Sequence, residues 1–198
     1  IAAVGDISGK GLAAALYMAQ ATALLELAAS REDEPLEGIL EALDHTLRSL
    51  LGQRGFLTLA LLEWEESGCY RLARAGHPGA LLVEPKEAFR ELCPHGRGLG
   101  LRPIGPGNWK VEEGHLTPGS WIVLYSDGLT EAMDRQGELY GLDRLRVQLQ
   151  RLHGTGSVRA ACEAVFRDVA GFETQNRDDR TLFILGRDSE SLATEAAS

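Results

Sequence analysis

Apolar positions change period several times along this chain, and the changes outline its elements. A short apolar run, Ile1-Ala2-Ala3-Val4, reads as a strand. Leu12 to Ala29 is apolar almost throughout, broken by Gln20, Thr22 and Glu26, and predicts a long helix buried in the core. A polar break over 31–35 follows. Pro35 suits the first turn of a second helix, in which Leu36, Ile39, Leu40, Leu43, Leu47 and Leu50 recur at helical spacing. From Phe56 the pattern becomes that of strands: 56–64 and 69–75 flank Glu65-Glu66-Ser67-Gly68, a hairpin turn containing Gly. Further strands are predicted over 80–83, 89–92, 109–116 and 120–125, the last two joined by Thr117-Pro118-Gly119. Residues 96–107, with Pro103 and Pro106, read as a loop. Two amphipathic helices, 142–152 and 158–170, precede a final strand at 181–185.

Strand, two helices, many strands, two helices, strand is an α+β order, with antiparallel hairpins stacked face to face and helices outside. A chain of 198 residues suits one domain, expected over 1–187, with 188–198 as a flexible Ser/Ala/Glu-rich tail. The apolar strand that opens at residue 1 predicts a further strand upstream. A hydrophobic content of 44% with 25% charged residues is ordinary for a globular protein. The net charge of −9 argues against nucleic acid as a partner, because that footprint needs a basic face. Cys69, Cys93 and Cys162 are scattered without a Cys-x-x-Cys, which predicts reduced thiols, a cytoplasmic setting and no zinc site. No leader and no membrane span is expected.

Three aspartate-bearing segments carry the candidate chemistry. They are Gly5-Asp6-Ile7-Ser8-Gly9-Lys10-Gly11, Tyr125-Ser126-Asp127-Gly128 and Arg177-Asp178-Asp179-Arg180-Thr181, each at the edge of a predicted strand. A carboxylate at a strand end is held by a rigid sheet while its oxygens face an open rim. Any one of these segments alone could be an Asx-turn. Together, at strand ends, they predict a carboxylate cluster that hard cations would neutralise.

Gly-Asp-Ile-Ser-Gly-Lys-Gly before an Ala/Leu-rich helix, then Ala75-Gly76-His77-Pro78, then Leu124-Tyr125-Ser126-Asp127-Gly128-Leu129-Thr130-Glu131-Ala132, then Asp178-Asp179-Arg180-Thr181, resembles the metal-dependent (PPM-type) protein serine/threonine phosphatases. The bacterial SpoIIE/RsbU-like branch is the nearest in pattern. Order and spacing match from Val4 to about Leu185. The resemblance implies an α-β-β-α sandwich of two mainly antiparallel sheets and a site for two Mn²⁺ or Mg²⁺ ions. Two such ions about 3.5–4 Å apart can activate a shared water for attack on a phosphoserine or phosphothreonine. Asp6, Asp127 and Asp178 are then the expected ligands, with the backbone carbonyl of Ile7 as a further one. Asp179 and His77 are candidates to orient those ligands, and His77 is also a candidate general acid or a purely structural turn residue. Relatives carry another metal-binding aspartate on the upstream strand, with no counterpart here, and commonly have Asn where this chain has Arg74.

The implied substrate is a phosphorylated anti-sigma-factor antagonist in bacterial signalling, and the implied neighbour an upstream sensory domain. Gly5–Gly11 is not a nucleotide P-loop, since its Lys precedes the last Gly and no Ser/Thr follows. A Cys-x5-Arg loop is absent, which excludes tyrosine-phosphatase chemistry. The alternative class is a catalytically weak pseudophosphatase that binds a partner without turnover, supported by the unmatched upstream aspartate.

Overall fold

In the computed structural model of the protein, the elements in chain order are β1 (Ala2–Ile7), α1 (Leu12–Ala29), α2 (Leu36–Leu51), β2 (Leu57–Trp64), β3 (Cys69–Ala75), β4 (Ala80–Val83), β5 (Arg90–Leu92), β6 (Val111–His115), β7 (Trp121–Tyr125), α3 (Asp127–Thr130), α4 (Gly141–Leu152), α5 (Val158–Phe172) and β8 (Leu182–Gly186). The structure describes residues 1–30, 34–51, 55–85, 89–101, 109–154, 157–174 and 178–188. Most of the expected loop beyond Leu101, and the tail beyond Asp188, lie outside them. The described chain divides into two compact units, Ile1–Gly79 with Cys93–Gly114, and Ala80–Leu92 with His115 onward.

The first unit is built on a sheet of order β1-β2-β3-β6. β1 and β2 are antiparallel, with Asp6 opposite Thr58 and Ile7 opposite Leu57. Its core forms because α2 gathers Leu36, Ile39, Leu40, Leu43, Leu47 and Leu51 on one face, the spacing of an amphipathic helix. That face meets Leu57, Leu59, Leu61, Ala73 and Ala75 of the sheet. The expected Leu50 is instead partly exposed, and Leu51 takes its place in the core.

α1 departs from expectation. It was expected to be a buried core helix, yet Ala21 and Ala28 are its buried residues. Tyr17, Met18, Leu24 and Leu25 pack part-way against the same core. Leu12, Leu16 and Leu27 stand 78%, 58% and 63% exposed. Apolar residues run all round this helix, so composition cannot say which edge is covered, and only one edge packs. By length and composition it is apolar enough to cross a membrane.

α2 also carries a buried carboxylate. Asp44 pairs with Arg48 one turn on and with Arg97 at 2.7 Å, and accepts the backbone N–H of Gly100 at 2.8 Å. Arg97 lies over the Trp109 ring, and its carbonyl accepts the indole N–H at 2.9 Å. One side chain thus ties the 97–100 segment to the helix.

The second unit is a sheet of order β5-β4-β7-β8. Every residue of β7, a central strand of this sheet, is buried. Leu145 and Leu149 of α4 and Ala161, Val165 and Val169 of α5 close a core with Leu81, Val83, Trp121, Val123 and Tyr125. Helices packed on antiparallel sheets are the predicted α+β class.

Candidate metal centre

Asp6 sits in the first unit, in the last turn of pleat before β1 ends, and is exposed. Its neighbours explain the glycine before it. A Cβ on Gly5 would lie 2.7 Å from the carbonyl oxygen of Thr58 and 2.9 Å from a Leu59 methyl, so only glycine lets the strands close here. Thr58, directly across the ladder, donates its hydroxyl to the carbonyl of Asp6 at 3.2 Å. The same Oγ1 is 3.0 Å from Nδ1 of His77. A carbonyl only accepts, so the threonine hydrogen goes to Asp6 and the Nδ1–H of His77 donates to Thr58.

His77 is buried, 1% exposed, in the turn after β3. Arg74 holds that turn, with Nη1 on the His77 carbonyl at 2.7 Å and Nε on the Pro94 carbonyl at 3.0 Å. Gly76 has φ 70°, and a Cβ there would meet the Gly98 nitrogen at 2.9 Å. The position that is commonly Asn in the resembled family therefore has a definite local task as Arg74. A buried imidazole whose Nδ1 is engaged with Thr58 supports the strand carrying Asp6. Lys10 is exposed on the turn into α1.

Asp127 and Asp178 belong to the second unit, where the structure brings their segments together. β7 and β8 pair antiparallel up to Tyr125 opposite Leu182. Asp127 therefore follows one strand at the end where Asp178 precedes the other. Ser126 fastens this end: its N–H donates to the Thr181 carbonyl at 3.0 Å, and its Oγ accepts the Thr181 N–H at 2.9 Å and donates to the Asp179 carbonyl at 3.3 Å. Asp127 opens the single turn of α3, where a carboxylate is favoured by the helix N-terminus. The Asp127 carbonyl accepts the Glu131 N–H at 2.7 Å and the Thr130 hydroxyl at 3.1 Å. Glu131 itself is exposed at the end of that turn. Asp178 accepts the Asp179 N–H on Oδ1 at 3.2 Å.

The close approach of the two segments hinges on Gly128. A Cβ there would sit 2.2 Å from the Asp179 carbonyl oxygen and 3.5 Å from Cβ of Asp178. Gly128→Ala must push 178–179 away from 127. The expected cost is about 1–3 kcal/mol of stability, together with weakened Mn²⁺ binding. Thermal melts and calorimetric titration check this, and an unchanged Mn²⁺ affinity would detach the glycine from the site.

Among the described residues, no three His, Cys, Asp or Glu side chains gather into a metal-binding group within either unit. Thr58 and Ser126 are the site residues that sequence reasoning missed. For Ser126 the local pattern suggests only a helix N-cap, yet its side chain caps nothing in α3 and serves Thr181 and Asp179 instead. For Thr58 no signal existed, because only the β1–β2 register reveals it.

The family model described as Stage II sporulation protein E (SpoIIE) matches residues 1–188. The phosphoserine phosphatase RsbU of Bacillus subtilis (strain 168) is 27% identical over 191 residues, covering 93% of this chain and 55% of that protein. The RsbU and RsbW domains of Rv1364c from Mycobacterium tuberculosis superpose with a TM-score of 0.76 at 27% identity, over 94% of this chain and 51% of that one. The SiaA-PP2C domain of Pseudomonas aeruginosa gives a TM-score of 0.79 at 24% identity, over 94% and 75%, and shows the shared PP2C fold. The chain spans about half the length of this RsbU. With a family model matched over nearly the whole chain and the PP2C fold in its structure, this protein belongs to the SpoIIE family.

Proposed function

We propose that this chain is a Mn²⁺- or Mg²⁺-dependent phosphatase of phosphoserine and phosphothreonine in proteins. The observation that carries the reading is the β7–β8 end, where Ser126 and Gly128 hold the Asp127 and Asp178 segments together in a chain 27% identical to a phosphoserine phosphatase. Asp6 and the Ile7 carbonyl are the further oxygen donors in this reading. The donor set is all oxygen and suits hard divalent cations rather than zinc. RsbX, a protein of the same fold, has been crystallised in complex with magnesium.

Two bound ions would supply Lewis acidity, an activated water and neutralisation of phosphoryl charge. The chain's own residues do the rest. Thr58 and His77 fix the strand that carries Asp6, and Ser126 fixes the backbone on which Asp127 and Asp178 stand. The Asp179 N–H holds Oδ1 of Asp178. The finer reading, a phosphorylated anti-sigma-factor antagonist as substrate and a sensory segment elsewhere in the whole protein, is supported by the RsbU and Rv1364c likenesses.

Two measurements test this. Phosphate release from a phosphoserine protein should require Mn²⁺ or Mg²⁺. Binding without any metal-dependent release would favour the pseudophosphatase reading. Separately, at a hundredfold excess over Kd, Mn²⁺ should raise Tm by roughly 5–10 °C, with no special preference for Zn²⁺. A flat Tm in millimolar Mn²⁺ would count against the site itself.

A further inference from the structure

We propose that the groove between α4 and α5 is a docking site for an acidic peptide segment of a partner protein. The groove has a volume of about 900 Å³ and lies wholly within the second unit. Its walls follow from helical spacing. Arg144, Val147 and Arg151 make one stripe along α4, and Ala164, Arg167 and Gly171 make the facing stripe along α5.

Charge favours an anion. Arg144, Arg151 and Arg167 all present exposed side chains here. Among the described residues, the arginines of these two helices that form ion pairs are Arg146, with Glu91 and Asp143, and Arg159, with Glu163. Among the described residues, the three groove arginines form none. Arg144 is fixed at the rim by stacking 4.4 Å above the Phe172 ring and by donating to the Leu139 carbonyl at 3.0 Å. Against these three guanidinium groups the groove has two carboxylates, of which Asp143 is almost fully exposed. Asp168 accepts the Tyr140 hydroxyl, and Asp143 pairs with Arg146. Burial and the adjacent Asp168 push the Tyr140 phenol well above its ordinary range, so that hydroxyl keeps its proton. A surplus of guanidinium therefore lines one concavity of a chain whose net charge is −9.

Shape favours a peptide. The stripe from Arg144 to Arg151 runs for roughly 10 Å, so a lone anion meets one head, whereas a chain with acidic residues a few positions apart meets several. A membrane would meet a convex face more readily than a groove. Apolar surface is on offer too. Val147 is 55% exposed, and a Cβ added at Gly171 would touch nothing within 4 Å. The segment that fits has Asp and Glu interspersed with an apolar side chain.

The probe is a fluorescein-labelled peptide, Glu-Asp-Leu-Asp-Glu-Leu-Asp-Asp, read by anisotropy against the whole chain. Its counterpart carries Gln and Asn in place of the acids. At about 0.1 M salt the acidic peptide should bind at least about tenfold more tightly. Arg151→Gln with Arg167→Gln should remove that advantage. Gly171→Met, which fills the groove without touching charge, should also weaken binding about tenfold or more. Melting temperature and Mn²⁺-dependent hydrolysis of para-nitrophenyl phosphate should stay unchanged in both variants, which separates this proposal from the phosphatase reading. Equal binding of the two peptides, or full affinity in the double variant, overturns it. So does full displacement by millimolar inorganic phosphate at matched ionic strength, which would make the groove a simple anion site. Binding of phosphatidylserine vesicles in place of the peptide would assign it to a membrane surface and overturn the proposal as well.

Discussion

Asp127→Asn is expected to lower metal-dependent phosphate release by a factor on the order of 10³ or more while leaving the metal-free melting temperature nearly unchanged. The reasoning separates two roles of one residue. The backbone of Asp127 accepts the Glu131 N–H and the Thr130 hydroxyl, and an asparagine keeps both bonds. Only the carboxylate charge is lost, and with it a share of the negative field that holds a divalent cation. Mn²⁺ titration should show the loss directly as a weakened Kd. Asp6→Asn is expected to behave alike, since its side chain is exposed and its strand is pinned through its carbonyl by Thr58. Full activity in Asp6→Asn would sink the assignment of that residue, whatever Asp127 does.

The largest effect on stability is expected at Asp44→Ala, far in sequence from any proposed ligand. Asp44 is 1% exposed and serves Arg48, Arg97 and the Gly100 N–H at once. Its removal takes the carboxylate partner from the largely buried Arg97 guanidinium, which keeps the Gly98 and Leu101 carbonyls, and takes the acceptor from the Gly100 amide. Breaking a buried pair in this way costs about 3–5 kcal/mol, which for a chain of this size lowers Tm by roughly 10 °C or more. Asp44→Asn should be milder, because its amide oxygen still accepts from Gly100. A loss below about 1 kcal/mol for the alanine variant would mean that the pair is effectively solvated.

Legibility in the sequence followed the range of the interactions. The turn at 65–68 and the leucine spacing of α2 are local signals, and the structure has both. The paired ends of β7 and β8 were legible in part: the aspartates marked them, although the grip of Ser126 on Thr181 spans 55 residues. Thr58 carries no local signal at all, since a threonine in a leucine-rich strand is ordinary until Asp6 is seen opposite it. The same holds for Asp44 and Arg97, which meet across 53 residues. α1 was misjudged for a different reason. Apolar composition reports what a helix can cover, and packing decides what it does cover.

The path of the chain through its two units bears on how the protein can be cut and how it folds. Residues 80–92 leave the first unit to build β4 and β5 of the second, and 93–114 return before the chain departs again. No single cleavage therefore yields either unit as one piece. Expression of a fragment ending near Gly79 would lack the returning segment, including Arg97, the partner of Asp44. β4 must also wait for β7, some 40 residues later, before its central pairing can form. Refolding should accordingly be slow relative to its helix content, and a nick between 85 and 89 should leave two pieces that remain associated under native conditions.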